Sequence, residues 1–486
     1  MTREVRVRFA PSPTGEPHVG NIRTAVFEWL FARRHDGAFV LRIEDTDQSR
    51  KIEGAVESIM ESLRWLGLEW DEGPDKGGPF GPYVQSQRLD LYKSVTETLL
   101  KADKAYHCYC SPERLAVMRE EQAKRSQPPG YDRHCRALGD AERRKAAEGG
   151  AVPVVRFAMP VEGTTVVSDL IRGNVSFENK LLDDFVILKS DGYPTYHLAH
   201  MVDDHHMRIS HVIRAEEWLP SLPRHWRMYE ALGWERPLFA HVPIILAPDR
   251  SKLSKRHGAT SVLEYREMGY LPEALLNFLV LLGWSLDDKT EVMTVQQMSE
   301  NFSIERISKA PAIFNIEKLD WMNGHYIRAY DDETLADALL VYWRSYPPAE
   351  LPLPPEREHL KRIVPLVRDR MKTLKDAAPL IRFFVAGPGA YGAAELVPKG
   401  MDAASTKRAL EASLAKLNAV KGFDAKALEA ELRPLVEELG LKAGQLFGAL
   451  RVAVTGLKVS PPLFETMEVL GRERTVKAIE KAVTEL

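Results

Sequence analysis

Cysteine is scarce in this chain: three in 486 residues. An odd, small number excludes a disulfide framework and points to a reducing, cytoplasmic setting. No apolar run approaches the roughly 18 residues that a membrane span needs, and the first eight residues lack the shape of a signal peptide, so no membrane partner is expected. An excess of either charge is missing too: 66 Lys and Arg stand against 69 Asp and Glu, for a net charge of −3. A global attraction to nucleic acid is thereby excluded, and any such binding must rest on local basic patches. Internal repeats and low-complexity tails are absent. What remains is the composition of a soluble globular protein, 44% hydrophobic and 28% charged, long enough for roughly three to five domains.

The chain changes character twice. "VRVRF" alternates like a strand, "FAPSPTGEPHVGNIRT" (residues 9–24) is a costly turn with three prolines and two glycines, and Ile22, Val26, Trp29 and Leu30 then recur at helical spacing. The pattern predicts a helix to about Arg34, ending before Asp36 and Gly37. "FVLRIEDTD" reads as a second strand ending in acids. Residues around 105–190 hold the cysteines in a helical hairpin, a Pro-Gly loop, and strands such as "VPVVRFAMP" and "TTVVSDLI". From Phe185 the strand–helix alternation resumes, so one nucleotide-binding sheet is expected, split by about a hundred inserted residues. Beyond about Ser261 nearly everything has helical period, with a proline-rich connector at residues 346–356.

Several residues carry chemistry. A helix mouth exposes unpaired backbone N–H groups and the positive end of the helix dipole, an anion site. At this mouth Gly15 and Gly20 allow close approach, while His18 and Asn21 add donors. Alone, "HVGN" is a tight turn capped by polar residues, and "SKLSKRHG" (251–258) is a solvated basic loop. Together, Lys252 and Lys255 would clamp a polyphosphate against the helix mouth. Arg8, near the end of the first strand, and Arg214, in "HVIRAEEW", are anomalous in strands of a buried sheet. Each wants a carboxylate: a substrate's, or that of a structural ion pair with Glu44, Asp45 or Glu216. Cys108, Cys110 and Cys135 fall in one short segment, a grouping that suits Zn2+, with His107 and His134 as ordinary candidates for a fourth ligand. "DDHH" (203–206) reads as polar lining of a nucleotide cleft.

"PSPTGEPHVGN" and "KLSKR" resemble the HIGH and KMSKS signatures of class I aminoacyl-tRNA synthetases. "RIEDTD", "GPYVQSQRLDLY", "SDGYPTYHLA", "VIRAEEW" and "KLDWMNGHYI" narrow the resemblance to bacterial-type glutamyl-tRNA synthetases, over essentially the whole chain. The resemblance implies an α/β fold: a split Rossmann-type catalytic domain (1–87 and 197–250) with an inserted α+β acceptor-end-binding domain (88–196). All-α domains follow: the KLSKR loop with a stem-contact domain (251–331), then an anticodon-binding domain in two parts (332–398 and 399–486). It implies ATP with Mg2+, L-glutamate and tRNA(Glu) as partners, in a cytoplasmic monomer. His18, Lys252 and Lys255 would be catalytic, and His18, Gly20, Asn21 and Lys255 would hold ATP. Arg8, Tyr196 and Arg214 would bind the glutamate side-chain carboxylate and Glu44 its ammonium group, with Ala10 and Ser12 completing the pocket. Some relatives carry zinc on a C-x-C, a later cysteine and a histidine. Here Ala137 stands two residues after Cys135, and Tyr131 fits a variant of that pattern, giving Cys108, Cys110, Tyr131 and Cys135 as the set. Arg370, Arg451 and Ser460 match anticodon contacts. Glutaminyl-tRNA synthetases follow the same catalytic half with β-barrels, which the helical period of residues 330–486 opposes.

Overall fold

The computed structural model describes residues 4–148, 152–258, 260–351 and 353–486, which form two compact units. One comprises Met1–Glu264 with Leu275–Asn315, the other Tyr265–Ala274 with Ile316–Leu486.

In the first unit, β1 (Arg6–Phe9) and β2 (Ala38–Leu41) pair in parallel, Arg6 opposite Ala38 and Phe9 opposite Leu41. A parallel pair needs a crossover, here the helix Val19–Arg34. Ile22, Val26, Phe27 and Leu30 on it are fully buried, and two basic residues in its last turn favour its negative end. The helix stops where predicted. Asp36 takes a positive φ of 49°, and a Cβ on Gly37 would run into the Val5 carbonyl, so only glycine fits there.

The insertion contains an antiparallel sheet in the order β3 (Ala105–Cys108), β4 (Val154–Phe157), β7 (Val186–Leu188). It also contains the hairpin of β5 (Thr164–Asp169) and β6 (Gly173–Glu178). This corrects the expected return at Phe185: the strand that follows it pairs with β4, Val186 opposite Arg156, and belongs to the insertion. The nucleotide-binding sheet resumes at β8 (His211–Ala215), parallel to β9 (Leu238–Val242). Ser210 N–H donates to the Arg6 carbonyl and Arg6 N–H to Ser210 Oγ, so β8 lies beside β1. The order β2-β1-β8-β9 sets two parallel pairs side by side, joined at Arg6 and Ser210 and interrupted in sequence, with the site at their carboxyl ends.

The second unit has no strand among its described residues. Helices such as Asp332–Ser345, Arg357–Val367, Ala403–Ala419 and Ala443–Thr455 pack Leu339, Ile363, Leu410 and Leu450 into a core in which these four are fully buried. The helical reading of the carboxyl-terminal part holds.

Candidate active site

The two signatures, some 240 residues apart, meet through the backbone. Val19 N–H donates to the Thr260 carbonyl at 2.8 Å, and His18 forms an isolated bridge with Ser261. The result is a cleft of about 720 Å³ lined by His18 and by Asp249, Ser251, Lys252 and neighbours up to His257. His18 is the N-cap: its Nδ1 accepts from Gly20 N–H at 3.0 Å. That bond puts the imidazole proton on Nε2, and burial together with the nearby Lys252 charge pushes the ring's pKa down. A neutral ring with an Nε2–H donor therefore faces the cleft lining at neutral pH. A Cβ on Gly20 would stand 3.3 Å from His18 Nδ1, crowding this cap. Asn21 is exposed beside it. Lys252 Nζ donates to Glu217 at 2.7 Å. Lys255 opens a short 3-10 turn, Lys255–His257, and its side chain lies outside the described residues.

The amino-acid pocket is built around buried charge. Tyr196 opens the helix Tyr196–His206, stacks on His200 and accepts from Arg214 Nη1 at 3.1 Å. Its hydroxyl, raised by burial, feels the charges of Arg214, Glu44, Arg8 and Asp204, so these predicted residues converge. Arg8 donates to Asp204 at 3.0 Å and to Glu28 at 3.3 Å. Glu44 accepts from Arg42 at 2.8 Å, and burial raises its pKa. Ala10 is partly buried and Ser12 exposed at the turn.

Three expectations are corrected. Arg8 does not pair with Glu44, Asp45 or Glu216, because Arg42 takes Glu44 and Arg172 takes Glu216. Among the described residues Arg214 has no carboxylate partner; its Nε–H donates to His241 Nε2 at 3.0 Å. Asp203 and Asp204 do not line the cleft of His18 and Lys252. Both are buried, Asp204 against Arg8 and Arg42 and Asp203 against Arg88. The two cations hold the Asp204 carboxyl well below the usual carboxylate range. Only His205 and His206 reach the outside of that segment, packed on Trp234. Sequence reasoning missed Glu28, Arg42, Asp169 and His241. The one local signal was "DDHH", whose acids serve the arginines.

In the insertion, the ligand atoms of Cys108, Cys110 and Cys135 lie within 4.8 Å of one another. Tyr131 OH is 3.3 Å from Cys108 Sγ and 3.4 Å from Cys110 Sγ, and it accepts from Cys135 N–H at 2.9 Å. Neither His107 nor His134 belongs to this group. Burial pushes the Cys110 thiol up to about 12, so without a cation it stays protonated.

In the helical unit Arg451 donates to Ser460 Oγ at 2.6 Å and to the Pro461 carbonyl at 2.8 Å. Burial and the charge of Arg370 lower its pKa. The structure thus gathers Arg370, exposed at the end of the turn Arg368–Arg370, with Arg451 and buried Ser460.

A parallel sheet split by an insertion, with a His-Gly-Asn helix mouth facing a lysine loop, is the frame of a class I synthetase. Residues 4–321 match the family of tRNA synthetases class I (E and Q), catalytic domain, and residues 334–483 match an anticodon binding domain. The chain is 54% identical to the glutamate–tRNA ligase of Dehalococcoides mccartyi strain CBDB1, over 100% of this chain and 98% of the relative. It is 48% identical to that of Moorella thermoacetica, over 99% and 98%. A crystal structure of a glutamate tRNA ligase from Elizabethkingia meningosepticum, in complex with its amino acid, matches with TM-score 0.87 at 36% identity, over 99% of each chain. The chain belongs to the glutamate–tRNA ligases. No helix among the described residues is long and apolar enough to cross a membrane.

Proposed function

We propose that the chain activates L-glutamate with ATP and transfers it to tRNA(Glu), using the residues assembled above. The observation that carries this reading is the Val19–Thr260 bond, which holds the helix mouth and the lysine loop against one cleft. The glutamate α-carboxylate attacks the α-phosphorus of ATP and pyrophosphate leaves. A ribose hydroxyl of the terminal adenosine of the tRNA then attacks the acyl carbon and AMP leaves. No nucleophilic side chain is needed, so the protein's part is positioning and stabilising spreading phosphate charge.

In this reading His18 Nε2–H and the side-chain amide of exposed Asn21 take phosphate oxygens. Lys252 exchanges its exposed partner Glu217, a weak pair in water, for the polyphosphate, and Lys255 joins it. Mg2+ arriving with ATP shields the remaining charge. Arg8, Tyr196 and Arg214 take the glutamate side-chain carboxylate, Glu44 its ammonium group, and the backbone at Ala10 and Ser12 closes the pocket. Cys108, Cys110, Cys135 and Tyr131 offer a three-sulfur, one-oxygen set that suits tetrahedral Zn2+, which would brace the insertion. In the helical unit Arg370 and Arg451 would contact anticodon bases, with Ser460 holding Arg451. The six domain segments keep the boundaries given above, the chain acts as a monomer, and a cytoplasmic setting fits the free thiols.

Charging of tRNA(Glu) by purified protein, with Lys255→Ala beside it, tests the reading. The variant should fold normally and lose about 10²–10³ in rate. Unchanged activity would remove the lysine loop from the mechanism.

A further inference from the structure

Arg214 and His241 are register partners on the parallel strands β8 and β9, so their side chains leave the sheet on one face. Arg214 Nε–H donates to His241 Nε2 at 3.0 Å. On the far side of the ring, Asp169 Oδ2 accepts from His241 Nδ1–H at 2.6 Å and from His241 backbone N–H at 3.1 Å. All three residues are buried. The hydrogen bonds have one consistent polarity: the carboxylate holds the proton on Nδ1, which leaves Nε2 as an acceptor for the arginine.

We propose that His241, with Asp169 behind it, is a positioning residue for substrate choice, fixing the plane of the Arg214 guanidinium so that its outward N–H groups meet the side-chain carboxylate of glutamate. This rests on the reading that Arg214 binds that carboxylate. A guanidinium presents five N–H groups in a rigid fork, and bidentate capture of a carboxylate works only in the plane of the fork. Tyr196 takes one Nη1 hydrogen and His225 Nδ1 lies 3.4 Å from Nη2. Those contacts flank the fork's open edge, whereas the Nε–H bond anchors its closed edge and sets the rotation. Burial pushes His241 down to about 4. The ring therefore stays neutral at working pH, and no second donor faces Nε–H. Asp169 also accepts from Ile171 and Arg172 N–H, so its removal would disturb the turn as well. The cleaner test is at His241.

Glutamate and ATP KM values are measured in tRNA charging for His241→Leu, His241→Gln and Arg214→Ala. The expected result is a rise in glutamate KM of about tenfold to a hundredfold for His241→Leu, the range of a lost buried hydrogen bond to a charged group. ATP KM should stay within about twofold, which is small on that scale. His241→Gln should recover most of the loss, since an amide can accept from Nε–H and donate to Asp169. If His241→Leu fails to fold, His241→Asn, polar but too short to reach Arg214, takes its place with the same expectation. A normal glutamate KM in the His241 variants, with a large rise in Arg214→Ala, would overturn the inference alone. So would glutamate and ATP KM rising together in both His241 variants, since that marks general damage. A normal glutamate KM in Arg214→Ala would overturn the carboxylate reading beneath it.

Discussion

The two units solve the problem of a stable interior in opposite ways. The buried charged and imidazole side chains, among them Arg8, Glu28, Arg42, Asp203, Asp204, Arg214, His225 and His241, fall in the first unit. Among its described residues the helical unit's buried polar groups are neutral ones, such as Asn323, Thr406, Ser413 and Thr466. Ser413 and Thr406 simply return their hydroxyl protons to carbonyls one turn back. Buried charge costs desolvation that a pair barely offsets, so its concentration in one unit marks where charge must be held in place for another purpose. A unit whose recognition chemistry lies on its surface has no such need and can use an apolar core.

The contrast breaks most sharply at Asp204. Asp204→Ala leaves Arg8 and Arg42 buried without their shared partner, a loss of about 3–5 kcal/mol. Hydrogen exchange should show weakened protection in the helix Val19–Arg34 and none in Ala403–Ala419. Thr466→Val in the helical unit should change stability by less than about 1 kcal/mol. Equal losses in the two variants would erase the distinction.

Acid should separate the units next. Burial lowers His197 and His241 to about 4, His200 to about 3, and His225 well below its ordinary value. Their unfolded pKa is near 6.5, so the unfolded chain binds these protons first, and the stability they contribute is present above that pH and lost below it. Glu28 and Glu44, raised by burial, act oppositely. The lowered histidines outnumber the raised carboxyls, so unfolding takes up protons as pH falls below about 6.5 and the first unit loses stability toward about pH 5. Hydrogen exchange across that window should weaken the first unit and spare the second; parallel weakening of both would contradict this account.

The smallest effect sharpens the comparison from the other side. Arg370 is exposed, and Arg370→Gln should leave stability and tRNA(Glu) charging substantial while raising misacylation of tRNA(Gln), by about 1–3 kcal/mol of lost discrimination. Charging assays with both tRNAs decide it. If the wild type already charges the two comparably, Arg370 does not read the distinguishing base.

What was legible in the sequence divides along physical lines. The helix mouth at His18 announced itself because caps, glycines and prolines act within a few residues. Arg8 and Arg214 were visible as anomalies because a cation in a buried strand breaks the pattern by itself. Their partners were not, since Asp204 lies 196 residues from Arg8 and nothing in local spacing pairs them. His241 passed unnoticed because one histidine in "LFAHV" looks like any core residue until the register sets it opposite Arg214. The three-residue strand β7 was assigned to the wrong sheet because so short a run carries no information about which neighbour it pairs with. Arg23 defied the expectation that a buried arginine finds a carboxylate: it donates to the Leu282 and Pro243 carbonyls.

The interrupted sheet also has a consequence in time. Arg6 N–H finds its acceptor, Ser210 Oγ, 204 residues later. A ribosome adding about 5–20 residues per second takes roughly 10–40 s to supply it. Throughout that interval the amino-terminal strand has one edge without its neighbour, while the whole insertion is synthesised. The insertion has its own sheet and hairpin, every strand of which emerges before residue 189. It can therefore fold while the strands flanking it wait, and nascent β1 needs its open edge protected until then.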